Sequence, residues 1–200
     1  MGNRAVITTP ERKIGLYLHW NGGRDTVEPL LKYCELKGYR PPSADTYGWA
    51  RLAQVVGNFF GGSTSLGIGA YTADKRMNPG DNGIYVVDGW SIVERILPYE
   101  GFQEQAAYGF DEMLRAFDES MPEGERLGAL LDADEVSAGE LSLGDEVWMR
   151  EVDDSYKPYP VIAFMEDGTP LVARYDHDGD WSWNPNNRVT AKTARIVARG

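Results

Sequence analysis

Apolar and polar residues alternate through "RAVITT" (4–9) and "KIGLYLHW" (13–20), predicting two strands of a hairpin joined by Pro10-Glu11-Arg12. In the second run Ile14, Leu16, Leu18 and Trp20 share one face, and Lys13, Gly15, Tyr17 and His19 the other. After Gly22-Gly23 the period changes. Val27, Leu30, Leu31 and Cys34 recur at helical spacing in "TVEPLLKYCELKG", with Thr26 the expected N-cap and Gly38 the stop. A second helix follows "RPPSA". Asp45 caps it, Trp49, Leu52, Val55, Val56, Phe59 and Phe60 line it, and Gly61-Gly62 end it.

Residues 61–83 are rich in glycine and have no clear period, which predicts a long loop with a short strand near 66–71. Loops of that length are usually functional or mobile. "IYVVDG" and "WSIVERIL" (84–97) read as a second strand pair around Asp88-Gly89. A third helix is expected over about 101–119, with Phe102, Ala106, Phe110, Met113, Leu114 and Phe117 inward. From Ser137 onward the chain turns to short strands: "SLGDEVWMREV", "YPVIAFM", "PLVARYD", "DWSWN" and "TARIVAR". Five such strands in a short span suggest a small closed barrel of SH3 or OB type. The fold expected is thus α+β. A small antiparallel sheet with about three helices spans 1–120, an acidic connector 121–138, and a β-barrel 139–200.

Charge adds what the pattern cannot show. Residues 100–154 hold 17 Asp and Glu against 3 Lys and Arg, while the whole 200-residue chain is only −11. The excess negative charge is confined to one block, whose field repels nucleic acid and attracts basic partners. Glu104, Asp111, Glu112, Asp118 and Glu119 recur at spacings of seven, so one face of the third helix would carry them. Glu123, Glu125, Asp132, Asp134 and Glu135 continue the run, nearly free of basic residues. Such a face is either solvated surface or a partner-binding patch, and ordinary surfaces intersperse both signs.

Other chemistry is sparse. "HWNGGRD" could form a ligand corner at a helix N-terminus from His19, Gly22, Gly23 and Arg24. It matches neither G-x-x-x-x-G-K-S/T nor G-x-G-x-x-G, and a plain structural turn is the favoured reading. His19 and His177 are the only histidines, and neither sits beside an evident nucleophile, so no catalytic residue is assigned. Asp176, Asp178 and Asp180 alternate like calcium ligands, but Trp181 and Asn187 stand where an EF-hand needs Gly and Glu. That stretch reads as a hairpin turn, and no metal or cofactor is expected. Trp181 and Trp183 with Tyr156 and Tyr159 could stack bases, but no basic groove accompanies them, so core filling is the plainer account. Cys34 is the only cysteine and falls on an apolar helix face, which excludes an internal disulfide. "MGNRAVITTPERK" lacks a signal-peptide core, and no apolar run is long enough to cross a bilayer, so an intracellular, cytoplasmic location is expected.

"GNRAVIT", "IGLYLHWNGGRDTVEPLLKYCELKGYR", "YGWARLAQVVGNFFGG" and "DNGIYVV" resemble a group of small proteins carried by bacteriophages and integrated mobile elements. The resemblance covers residues 2–97 and carries no site residues. It implies a context, in which small acidic proteins disable host nucleases, CRISPR effectors among them, by occupying a basic nucleic-acid channel. The expected function is therefore non-enzymatic binding of a basic host protein. The alternative is a small-ligand binder or hydrolase-type enzyme built on the His19–Arg24 corner and the 61–83 loop.

Overall fold

The computed structural model describes residues 2–62, 65–71, 77–151, 156–174, 188–189, 193–198 and 200. The chain forms two compact units, residues 1–126 and 127–200.

The first unit is a five-stranded sheet with helices on one face. Its strands are β1 (Ala5–Thr8), β2 (Ile14–Leu18), β3 (Leu66–Ala70), β4 (Ile84–Asp88) and β5 (Ser91–Ile96), in the order β3-β2-β1-β4-β5. The sheet is mixed rather than antiparallel as expected: β1 and β4 run parallel, Val6 opposite Ile84 and Thr8 opposite Val86. The hairpin partner β2 already holds one edge of β1, so β4 enters on the other after the helical crossover. Both central strands are almost wholly buried, as suits near-continuous apolar runs covered on two faces.

By alternation Ala5, Ile7, Leu16, Leu18, Tyr85 and Val87 face the helices α1 (Arg24–Leu36), α2 (Thr46–Phe59) and α3 (Phe110–Ser120). Helix α1 begins two residues before the expected Thr26 cap. Gly23 is its N-cap without a side-chain bond, and Pro29 lies inside the helix, where it removes one ladder hydrogen bond. Helix α2 is capped as expected, Asp45 accepting from the Gly48 amide at 3.1 Å. Helix α3 starts nine residues later than the expected 101. Glu104 is tied to the sheet through Arg95, and this long-range pairing overrides the local preference of 101–109 for helix.

The second sheet face is closed by the described ends of the 61–83 stretch. Tyr71 and Met77 pack on Val6, Ile84 and Val86. Gly15 and Gly69 make room for them: a Cβ at Gly69 would come within 2.8 Å of the Met77 methyl, and one at Gly15 within 3.2 Å of its sulfur. Part of the expected functional loop is therefore a strand and a hydrophobic cover.

The second unit is an antiparallel sheet of β6 (Asp134–Ser137), β7 (Glu146–Arg150), β8 (Tyr156–Phe164), β9 (Pro170–Val172) and β10 (Thr193–Ala198), ordered β6-β10-β7-β8-β9. Val147, Val161, Val172, Val189 and Ile196 form its core. Among the described residues no pairing joins β6 to β9, and the expected closed barrel is not found. The stretch 121–138, expected as a connector, holds 3-10 turns at Glu123–Glu125 and Gly128–Asp132 and the strand β6. Arg195 of β10 donates to the carbonyls of Leu130 and Ala133 at 3.2 and 3.1 Å, fastening the Gly128–Asp132 turn to the sheet. A fragment 127–200 should accordingly give dispersed amide NMR shifts, whereas 139–200, stripped of β6, should not. Equal spectra would remove β6 from the structural core. Among the described residues no helix is long and apolar enough to cross a membrane.

Candidate functional site

The Gly22-Gly23 corner is filled by the protein itself. The Gly22 amide donates to the Asn3 carbonyl at 2.7 Å, and the Gly22 carbonyl accepts from the Tyr85 hydroxyl at 3.1 Å. A Cβ at Gly22 would lie 2.6 Å from the Ala5 amide nitrogen, so the glycine serves close backbone approach. His19 lies on the strand face opposite the helices, where its Nδ1 is 2.9 Å from the Tyr17 hydroxyl. Arg24 opens α1 on the helical face. The structure thus places His19 and Arg24 on opposite sides of the sheet and does not bring them into one site. His177 and the Asp176–Asp180 turn, with Trp181 and Trp183, lie outside the described residues.

Arg24 belongs to a different feature. Between α1 and β5 runs a cleft of about 420 Å³, with Leu31, Trp90 and Ile92 among its walls. Arg24 pairs with Glu28 at 2.5 Å and with Glu104 at 3.4 Å, while Lys32 pairs with Glu35 at 2.9 Å. Arg95 holds Glu104 at 2.6 Å and donates to the carbonyls of Ile84 and Asn82 at 2.5 and 2.7 Å. Its guanidinium stacks 3.5 Å from the centroid of Tyr85. Burial pushes the Tyr85 hydroxyl up to about 12, the neighbouring Arg95 charge opposing. Each charge in this cleft is matched by its neighbour, so the lining has no net preference for a charged ligand. Sequence reading missed the Arg95–Glu104 hub. The available signal was an arginine at the core-facing position of a strand, where the only tolerable arginine is a paired one.

The acidic block divides into structural and surface members. Asp118 is only 6% exposed, and Glu104 is taken by two arginines, so neither belongs to an open acidic face. Glu104 is not on α3 at all. Glu125 is half-buried, with one carboxylate oxygen enclosed and without a hydrogen-bond partner, while its carbonyl accepts from Tyr33. Asp145 is buried and accepts from the amides of Ser142 and Gly200 at 2.9 and 3.0 Å, closing the turn before β7. Asp111, Glu112, Glu119 and Glu123 are exposed on α3 and the turn after it. In the second unit Asp132, Asp134 and Glu135 are exposed, Glu135 lying 3.6 Å from Arg195.

Glu151 shows how the block's structural carboxylates work. Burial pushes its carboxyl up, but hydrogen bonds from Tyr159 at 2.6 Å and Arg174 at 2.8 Å outweigh that and leave it below its ordinary value. A depressed carboxyl contributes stability that is complete above the unfolded value and is lost as the pH falls through the folded one. Glu151→Gln should therefore reduce the acid-side loss of stability of this unit in thermal melts from pH 7 to 3. An unchanged profile would mean that the pair is not formed in solution. Cys34 is fully buried, its thiol pushed up by that burial, and is structural. No group of three or more His, Cys, Asp or Glu among the described residues is placed to hold a metal ion.

No known protein family, curated protein or solved structure matches the chain.

Proposed function

We propose that the chain is a non-enzymatic binding protein of phage or mobile-element origin. Its acidic surface engages a basic nucleic-acid-binding protein of the host, such as a CRISPR effector or another defence nuclease, in place of nucleic acid. The observation that carries this reading is the exposed set Asp111, Glu112 and Glu119 on α3, which holds one basic residue, Arg115, with Glu123 on the turn that follows. Adjacent like charges cost stability, and an interface role accounts for keeping them together. Asp132, Asp134 and Glu135 extend the same chemistry in the second unit.

The test compares two variants with equal loss of charge. Asp111→Asn, Glu112→Gln, Glu119→Gln and Glu123→Gln remove the α3 set, while Glu11→Gln, Asp88→Asn, Glu166→Gln and Asp167→Asn are the control. Asp111 and Glu112 sit in the first turn of α3 and favour its dipole, whereas Glu119 sits in the last turn and opposes it. Net stability should therefore change by less than about 1 kcal/mol. Against a partner captured on the immobilised wild-type chain, the α3 variant should associate about tenfold more slowly at low salt. Equal slowing by both variants would leave net charge alone responsible, and no slowing by either would remove the reading.

A further inference from the structure

The first unit leaves one strand edge bare. The His19 amide donates to the Ser65 carbonyl at 2.9 Å, and the Tyr71 amide donates to the Lys13 carbonyl at 2.8 Å. Alternate residues of a strand turn both backbone groups to the same side. Gly67 and Gly69 therefore also bond β2, while Leu66, Ile68 and Ala70 turn their amides and carbonyls outward. Strand β3 ends the sheet, and among the described residues nothing pairs with those outward groups. Proteins usually blunt such an edge with charge, proline or a bulge. The opposite edge, β5, carries Glu94 and Arg95 and a register shift against β4. In the second unit β6 is acidic, and β9 starts with Pro170 and bridges Arg188 through Leu171. Strand β3, "LGIGA", pairs in unbroken register and has none of these devices.

We propose that this edge pairs with β3 of a second copy of the chain, joining two five-stranded sheets into one. A two-fold axis at Ile68 sets that residue opposite its own mate, and Leu66 opposite Ala70 of the second copy. This is the hydrogen-bonded register, in which each of the three residues exchanges both its amide and its carbonyl bond with the residue facing it. A two-fold interface must be self-complementary, and an edge whose central outward residue is also its midpoint meets that condition as it stands. Ile68 stands opposite Leu16 on the helix-covered face, yet at the sheet's end it is 58% exposed. In the pair its mate covers it. Gly67 and Gly69 put no side chain on the other face, and no residue from Ser65 to Tyr71 is charged, so nothing in the strand repels its copy. A strand of another protein could use the same amides, but the match of isoleucine on isoleucine favours the second copy. A five-residue edge offers less than the roughly 800 Å² per partner of a stable interface, so the dimer is a weak one.

The pairing is independent of the function proposed above, and its test uses the full chain alone. Sedimentation velocity from about 1 µM to about 1 mM should show the average mass rising from monomer towards dimer. Ile68→Pro is the most selective variant. The Ile68 amide takes no part in the β2 ladder, so proline removes an edge donor and leaves the fold's own bonds in place. Dimerisation should weaken by about tenfold or more, with the thermal midpoint little changed. Ile68→Lys sets two like charges opposite each other without touching the backbone, and should act in the same direction even if the proline variant folds poorly. Cysteines read the register, because facing Cα atoms about 5.5 Å apart are within bridging range. Ile68→Cys alone should oxidise to a linked dimer. Ala70→Cys should do so only when mixed with Leu66→Cys. Cys34 is fully buried and does not compete. A wild-type chain that stays monomeric at about 1 mM overturns the inference. So does a folded Ile68→Lys that dimerises like wild type, or cross-linking by Ala70→Cys alone that equals that of Ile68→Cys.

Discussion

Gly48→Ala should destabilise the first unit by about 2–3 kcal/mol, although alanine is the better helix former by about 1 kcal/mol. Gly48 lies in the first turn of α2, against the Pro41–Pro42 backbone, and an added Cβ would overlap the Pro41 carbonyl. Neither partner is a flexible side chain, so the helix or the preceding turn must move. Gly57, nine residues on in the same helix, is the internal comparison. A Cβ there meets nothing within 4 Å, so Gly57→Ala should stabilise by about 0.5–1 kcal/mol. Urea denaturation of the two variants reads both signs. Stabilisation by both would mean that α2 does not seat on the Pro41–Pro42 turn.

Arg95→Met should cost about 3–4 kcal/mol, because it leaves a half-buried carboxylate and two backbone carbonyls without their donor. Glu104 would retain only the longer contact to half-exposed Arg24. Replacing both ends, Arg95→Met with Glu104→Leu, should recover more than half of that loss, since the uncompensated charge is then gone. A double variant as unstable as Arg95→Met would place the cost in the Ile84 and Asn82 carbonyls instead.

How far the sequence speaks is clearest from particular elements. The strands β1, β2, β4 and β5 and the whole of α2 were legible, because alternation and a side-chain cap are local signals. The parallel pairing of β1 with β4 was not, since both registers present the same buried runs. Strand β6 escaped because "DEVS" is short and polar, and its place is set by β10 sixty residues away. Residues 101–109 look helical by composition, yet Glu104 is claimed by Arg95 and Arg24, a tertiary fact that no local window contains. The acidic block was visible as composition, but its division was not. Period-seven spacing put Asp118 beside Asp111 on one face, while packing buries the first and exposes the second.

The central claim is that the acidic surface takes the place of nucleic acid on a basic partner. A gel-shift competition tests it most directly, with the captured partner, labelled nucleic acid and increasing amounts of either the wild-type chain or the variant lacking Asp111, Glu112, Glu119 and Glu123. The wild type should release the nucleic acid, and the variant should release it only at about tenfold or greater concentration. A partner that keeps its nucleic acid while the wild-type chain is bound would contradict the account.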